Sequence, residues 1–337
     1  MEIKQNFKVS IQDRSGIAEA RRIILEMAEY LGFKENQTSK IAIVTTELAT
    51  NLFKHARKGE ILVQIIEDKG TPVGIDLIAL DHGPGIHNLP EAMRDGFSTF
   101  GSSGTGLGAI NRLSVQFDIY SQSNQGSAIL ARYWLNETAV TENSVAVVNL
   151  PKSEEKVSGD SWSYSFNHSM KTFLVVDGLG HGVLAAEAAR RAVQIFQQNS
   201  NEIPVGILEA IHDGLRSTRG AAAAVTQVDL SKKIIHYAGV GNINSAIITP
   251  SASRRMVSHN GTLGHEIRKL NEFTYDAPDD GALLMHSDGL GSHWDFRKYP
   301  GILSHHPQIV NSILYRDFHK DRDDVTVLFS TLGTGTS

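Results

Sequence analysis

The sequence contains no cysteine, and this absence excludes several kinds of chemistry at once. Without thiols there can be no disulfide bond, no thiolate metal site and no thiol nucleophile. The chain also has no apolar run that approaches the roughly 20 residues needed to cross a bilayer. Its first residues lack the charged-then-apolar order of a secretory signal, so we expect a cytoplasmic protein.

The chain has no excess of positive charge either. Its 32 Lys and Arg residues face 37 Asp and Glu residues, which gives a formal net charge of −5. A surface that binds nucleic acid or a membrane would need a cluster of basic residues. We therefore expect neither nucleic acid nor a membrane among the partners.

Length and periodicity predict two α/β domains, at 1–135 and 145–333. Residues 136–144 lose all periodicity and are rich in Thr, Asn and Glu, which is typical of a linker. Strands dominate after it, so we expect antiparallel sheets there rather than a βαβ repeat. The predicted helices are 17–31, 38–55, 104–113, 183–198 and 205–217; the predicted strands are 61–67, 73–80, 115–121, 128–134, 145–150, 163–166, 172–176, 222–229, 233–238, 246–249, 282–286 and 325–330.

Polar residues on the second predicted helix suit general base and magnesium chemistry. Glu47 and Asn51 are four residues apart and therefore share one face, with His55 one further step along it. A carboxylate can accept the proton of an attacking hydroxyl, and an amide oxygen can ligate Mg²⁺. Taken alone, these residues could equally be ordinary exposed side chains of a helix.

Two glycine motifs follow in an order that suits a bound nucleotide. Asp81 ends an apolar strand, where its carboxylate can accept a hydrogen bond from an exocyclic amine such as that of adenine. A glycine-led helix start further on can bind phosphate through its backbone N–H groups. No P-loop motif is present, and no strand precedes the second motif as a dinucleotide-binding fold requires. The glycine-motif residues are Gly83, Gly85, Gly104, Thr105, Gly106, Leu107 and Gly108.

On these motifs, residues 1–135 resemble the GHKL-type ATPases, and among them the RsbT-like and RsbW-like switch serine kinases. The resemblance implies a Bergerat-type α/β sandwich that binds ATP and Mg²⁺. It implies Glu47 as the general base, Asn51 as the Mg²⁺ ligand and Asp81 as the residue that binds adenine. The implied substrate is a serine on a STAS-domain protein, and other stressosome or sigma-regulatory proteins are further expected partners.

Aspartates stand at the ends of predicted strands in the second domain. Asp177 and Asp288 each come soon after an apolar strand, and Asp323 and Asp324 precede another. Such carboxylates repel one another unless cations hold them together. Oxygen ligands without cysteine favour Mg²⁺ or Mn²⁺, and two such ions can activate water for attack on a phosphate ester. His181 and His286 could be ligands, but we expect them to be structural.

Residues 144–332 resemble the PPM-type metal-dependent serine/threonine phosphatases of the SpoIIE/RsbX-like bacterial branch. The matching stretches are Ser158-Gly-Asp160, the run from Asp177 to Gly182, Ser287-Asp-Gly289 and Asp323-Asp-Val-Thr326. The resemblance implies an α/β/β/α sandwich that holds two Mn²⁺ or Mg²⁺ ions. In it Asp177 bridges both ions and Gly178 offers its carbonyl, while Asp160, Asp288 and Asp323 complete the site. Asp324 competes with Asp323 for this role.

Together the two resemblances predict a serine kinase joined to a phosphatase that acts on the same STAS-domain partner in bacterial partner switching. One alternative is a phosphatase whose first domain only binds ATP and docks the partner. Another is a binding protein that sequesters the partner without catalysis.

Overall fold

The computed structural model describes residues 6–68, 70–93, 106–136, 145–167, 169–267 and 269–333. The chain divides into two compact units, of which the first joins residues 1–142 with 299–316 and the second joins 143–298 with 317–337. The segment 299–316, assigned to the second domain from the sequence, thus belongs to the first unit. The predicted linker lies outside the described residues except for residue 136. Within the described ranges, no helix is both long and apolar enough to cross a membrane.

The first unit contains one antiparallel sheet with helices packed on it. The strands are β1 Asn6–Ile11, β2 Gly59–Asp68, β3 Thr71–Asp81, β4 Gln116–Gln122 and β5 Gly126–Trp134. Their order across the sheet is β1-β2-β3-β5-β4. The helices are α1 Arg14–Leu31, α2 Glu35–Asn51, the short α3 Leu89–Ala92 and α4 Gly106–Leu113. One face of the sheet forms a core with α1 and α2 through residues such as Ile24, Ile41, Leu48, Val63 and Leu77.

Local capping explains where the first two helices begin and end. The Asp13 side chain accepts hydrogen bonds from the amides of Ser15 and Gly16, so α1 begins before its apolar repeat does. Gly32 ends α1 in the left-handed conformation, at φ 87°. The predicted α-helix over 38–55 is wrong at its end, because α2 stops at Asn51 and a π-helical turn, Leu52–Ala56, follows.

The other face of this sheet packs against the segment from the second half of the chain. That segment contains α7, Pro307–Phe318, a helix that the sequence analysis missed. Asp76 and Arg132 form a bidentate ion pair on this face, with N–O distances of 2.6 and 2.7 Å. Gln308 Nε2 donates to Gln64 Oε1 at 2.8 Å, and the His306 amide donates to Asp118 at 2.7 Å.

The second unit is a sandwich of two five-stranded antiparallel sheets. Their inner faces share one core, with Phe173 and Tyr237 from one sheet beside Leu283 and Leu328 from the other. One sheet contains β7 Asp160–Asn167, β8 Met170–Gly178, β9 Ala221–Asp229, β10 Ile234–Val240 and β13 Phe273–Asp276; the other contains β6 Val145–Leu150, β11 Asn244–Ile248, β12 Ser253–Arg255, β14 Ala282–His286 and β15 Val325–Thr331.

Two helices cover the outer face of the first of these sheets. They are α5 Val183–Asn199 and α6 Pro204–Gly214, and their buried residues Ala189, Phe196 and Ile211 pack against Leu174 and Val225 of the sheet. This architecture confirms the predicted α/β class with antiparallel sheets. The sequence analysis missed β12 and β13, both of which are edge strands.

Candidate functional sites

The predicted base and magnesium ligand lie beside the start of α4. Glu47 and Asn51 occupy the last two turns of α2, and Gly106 is the first residue of α4. A methyl group added at Gly106 would lie 3.4 Å from Glu47 Oε2 and 3.5 Å from Asn51 Oδ1. The structure therefore brings a carboxylate and an amide to a helix start, where backbone N–H groups favour phosphate. Leu107 and Gly108 follow in the first turn of α4, whereas Gly104 and Thr105 lie outside the described residues.

Asp81 is the last residue of β3 and begins the turn that contains the first two motif glycines. Its Oδ1 accepts a hydrogen bond from the Gly83 amide at 2.7 Å, which orients the carboxylate. Gly85 adopts a φ of 72°, and a side chain there would clash with the Gln122 carbonyl. Burial raises the pKa of Asp81, while the Gly83 amide and the positive charge of Arg316 act to lower it.

Two further residues contact this turn from other elements. His55 lies in the π-helical turn, close enough for the charge of Asp81 to act on it, but burial and Lys54 together lower its pKa. Arg316 of α7 donates from Nη1 to the Asp81 carbonyl at 3.0 Å. The sequence offered no signal for Arg316, because its position depends on the packing of α7 within the first unit.

The first two aspartates of the second unit face each other across a strand pair. Asp160 begins β7 and is the direct partner of Asp177 near the end of β8. Burial raises the pKa of Asp177 to about 7, with the negative charge of Asp288 as the next cause. Burial and the charge of Asp177 raise the pKa of Asp160 well above its usual value. Gly178 is required for close packing here, because a side chain would collide with the backbone of Ala185.

The remaining two predicted ligands approach from the other sheet. Asp288 follows β14, and Asp323 stands two residues before β15. Burial and the charge of Asp288 raise the pKa of Asp323. The Asp324 carboxylate has other partners, because its two oxygens accept hydrogen bonds from the backbone amides of Lys152 and Gly159, each at 2.9 Å. This contrast favours Asp323 over Asp324 as the ligand.

The chemistry of this carboxylate cluster fits Mg²⁺ or Mn²⁺. Its donors are oxygens only, and burial together with neighbouring aspartates raises the pKa of Asp160, Asp177 and Asp323, so cations would relieve the repulsion. In the part of the chain that the structure describes, however, no three Asp, Glu or His residues already form a group that could hold an ion. Instead Asn242 Nδ2 donates to Asp288 at 2.7 Å and to Asp177 at 3.2 Å. The Asn242 amide thus gives one hydrogen bond to each of two carboxylates of the cluster.

Two residues to which the sequence analysis assigned no role support this cluster. Ser287 Oγ donates to Asp160 Oδ2 at 2.6 Å and accepts the Thr326 amide at 2.9 Å. Asn242 bridges two carboxylates, as described above. The position of Ser287 between a predicted strand and Asp288 was an available signal, whereas no predicted ligand adjoins Asn242 in the sequence.

The two histidines near the cluster have separate surroundings. His286 is buried, its Nε2 accepts from the Trp294 indole at 3.1 Å, and burial lowers its pKa to about 4. It is therefore a structural residue, as expected. His181 is exposed, and its Nδ1 lies 2.8 Å from Glu155 Oε1.

Comparisons with known proteins divide the chain in the same two parts. The family profile described as a histidine kinase-like ATPase domain matches residues 12–133, and that of stage II sporulation protein E (SpoIIE) matches residues 171–332. Serine/threonine-protein kinase RsbT of Bacillus subtilis (strain 168) is 37% identical over 127 residues, which cover 38% of this chain and 95% of RsbT. Phosphoserine phosphatase RsbX of the same organism is 26% identical over 194 residues, which cover 55% of this chain and 93% of RsbX.

A solved structure gives a further similarity. A chain from the work described as "The bacterial stressosome: a modular system that has been adapted to control secondary messenger signaling" superposes with a TM-score of 0.53 at 26% identity. The alignment covers 56% of this chain and 98% of that chain. The first domain is thus a histidine kinase-like ATPase domain, and the second has the SpoIIE-type PPM phosphatase fold.

Proposed function

Because this chain belongs to the RsbT family of kinase-like ATPases and carries a fused SpoIIE-type phosphatase domain, we propose that it both phosphorylates and dephosphorylates one protein substrate. The substrate is a serine on a STAS-domain protein, and the setting is bacterial partner switching. The single observation that carries the proposal is the presence, in one chain, of the Glu47–Asn51–Gly106 arrangement and the four-aspartate cluster.

In the kinase half, each residue has one task. Glu47 accepts the proton of the serine hydroxyl while the oxygen–phosphorus bond forms and the bond to ADP breaks. Asn51 ligates Mg²⁺, and the α4 start binds phosphate oxygens through its amides. Asp81, oriented by the Gly83 amide, accepts a hydrogen bond from adenine. His55, Gly83, Gly85 and residues 104–108 complete the nucleotide site.

In the phosphatase half, Asp160, Asp177, Asp288, Asp323 and the Gly178 carbonyl would hold two Mg²⁺ or Mn²⁺ ions. Such ions would supply an activated water and a Lewis acid for the phosphoryl group. Ser287 orients Asp160 through its 2.6 Å hydrogen bond. Asn242 donates to Asp177 and Asp288 and so holds them in place. Hydrolysis forms a bond between the water oxygen and phosphorus and breaks the bond between phosphorus and the serine oxygen, which takes up a proton released by the water.

Turnover in both directions on one substrate tests this function. A purified STAS-domain protein is incubated with the chain, Mg²⁺ and ATP, and its phosphoserine is followed by phosphate-affinity electrophoresis. The phosphorylated substrate is then incubated with the chain and Mn²⁺ without nucleotide. We expect phosphate to be added in the first reaction and removed in the second. Removal without addition would show that the first domain only docks the partner, and the absence of both reactions would contradict catalysis altogether.

A further inference from the structure

A cavity of about 400 Å³ opens beside the aspartate cluster, within the second unit. Asn242 and Asp288 line one part of it, so it is continuous with the proposed metal site. Its wall includes the buried side chains of Met256, Leu290 and Trp294. The cavity is lined by polar as well as apolar residues and is larger than a phosphoryl group alone would fill, which leaves room for residues that flank a phosphoserine.

Two positive charges also line the cavity, although the nearby cluster is acidic. Lys320 Nζ donates to the Asp288 carbonyl at 2.6 Å, which places this charge next to a proposed metal ligand. The Arg255 guanidinium lies over the Trp294 ring, with 5.7 Å between their centres, and donates to the Ser292 carbonyl. Both charges act to lower the pKa of His286, after the larger effect of its burial.

These two cations have no carboxylate partner in the part of the chain that the structure describes. Across the described ranges, no Asp or Glu forms an ion pair with Arg255 or Lys320. Arg255 is exposed, yet the Trp294 ring and the Ser292 carbonyl restrict its orientation. A guanidinium held in this way is suited to a carboxylate, which it can bind through two parallel hydrogen bonds.

We propose that this cavity binds the polypeptide segment around the phosphoserine of a protein substrate, and that Arg255 contacts an acidic side chain of that segment. Lys320, beside Asp288, adds positive charge where the phosphate enters. The assignment rests on the proposed phosphatase function. It adds the part of the site that would contact a protein substrate but not a small phosphate ester. Arg255 is thus a specificity residue that contacts substrate away from the reacting atoms.

Peptides that cannot be hydrolysed test this assignment through binding. Two fluorescent peptides carry a phosphonate analogue of phosphoserine, flanked on both sides by Glu in one and by Gln in the other. With Mn²⁺ present, we expect wild type to bind the Glu peptide about tenfold more tightly, which is the effect of one charge-assisted hydrogen bond. Arg255→Gln should bind both peptides with equal affinity. Arg254→Gln, which removes the neighbouring cation stacked on Tyr275, should keep the wild-type preference.

Charge reversal gives a second readout that does not depend on absolute affinity. Arg255→Glu should favour a peptide flanked by Lys over the Glu peptide. Lack of preference in wild type, or full retention of the preference in Arg255→Gln, would overturn the assignment. Hydrolysis of an aryl phosphate by wild type with Mn²⁺ tests the phosphatase function separately. If that hydrolysis occurs without a peptide preference, only the role of Arg255 is wrong; if it is absent, the phosphatase function itself is wrong.

Discussion

The two sites surround their carboxylates with opposite charges. In the first unit, burial raises the pKa of Asp81, and the Gly83 amide and the charges of Arg316 and His82 act against that rise. In the second unit, burial raises the pKa of Asp177 to about 7, and the charges of Asp288 and Asp323 add to the rise. Burial still raises the pKa of Asp81, but its neighbours oppose that rise, whereas in the aspartate cluster the neighbouring carboxylates add to it.

This difference implies different roles for single residues. Glu47 is proposed to act as a single general base, so its removal should affect one reaction. Asp160, Asp177 and Asp323 are linked to one another instead, because burial and neighbouring aspartates raise the pKa of each of them.

The largest expected effect is at Glu47. Glu47→Ala should lower phosphoryl transfer to the STAS-domain substrate by roughly 10²–10⁴-fold, the usual contribution of a general base, while ATP affinity is retained. Nucleotide affinity is measured by calorimetry and transfer by phosphoserine formation. Glu26→Ala, which removes an exposed carboxylate paired with Arg22, is the control. Wild-type transfer rates in Glu47→Ala would show that another group accepts the proton.

The next comparison concerns a buried carboxylate that forms an ion pair with an arginine. Asp76 and Arg132 have side chains only 2% and 5% exposed, and they pair through two hydrogen bonds. Arg132→Met leaves Asp76 buried without its cation, so the free energy of unfolding should fall by roughly 3–5 kcal/mol. Denaturant unfolding measures this change. Adding Asp76→Leu to Arg132→Met should restore most of the lost free energy of unfolding. If it does not, the unpaired charge of Asp76 is not the cause of the destabilisation.

Ser287 supports the cluster through one hydrogen bond, and its loss should have a smaller effect. Ser287→Ala removes the donor to Asp160, so Mn²⁺ affinity should weaken by roughly 10–100-fold, as for other groups that orient metal ligands. Calorimetric titration with Mn²⁺ measures the change. Ser231→Ala removes a similar Ser–Asp hydrogen bond in the turn between β9 and β10 and serves as the matched control. If Ser287→Ala and Ser231→Ala bind Mn²⁺ with equal affinity, Ser287 does not support the metal site.

The last expected effect is a pH dependence of stability. The pKa of Asp177 is about 7 in the folded protein against an ordinary value of 3.8, so the folded state binds more protons between these values. Without cations, stability should therefore fall as pH rises from about 4 to about 7 and then level off. Mn²⁺ should raise the melting temperature more at pH 8 than at pH 5. A shift of equal size at both values would contradict the raised pKa.

Much of both sites could be predicted because their residues adjoin elements with clear sequence signals. Asp177 and Asp288 follow short continuous apolar runs that predict strands, and Glu47 and Asn51 share a helix face by spacing alone. The end of α1 at Gly32 was likewise readable from the sequence, because glycine readily adopts the left-handed conformation. Such signals are local, and they hold wherever the element is packed.

The features that were missed depend on packing between distant segments. Helix α7 carries Pro307 at its start and apolar residues at Ile309, Val310, Ile313 and Leu314, a helical pattern that was present but not used. Its place against the first-unit sheet was not predictable, because the contacts join side chains 174 to 307 residues apart, such as Arg132 to His306 and Lys8 to Tyr315. Arg316 near Asp81 follows from that same packing.

The central claim is that one chain adds and removes phosphate at the same protein, and Asp177→Asn tests it most directly. Wild type and Asp177→Asn are each incubated with a STAS-domain protein, ATP, Mg²⁺ and Mn²⁺, and the phosphoserine content of the substrate is followed until it is constant. Because the variant weakens only the metal cluster, we expect it to accumulate phosphorylated substrate to a higher level than wild type. Equal levels in both proteins, or loss of phosphorylation in the variant, would contradict the account.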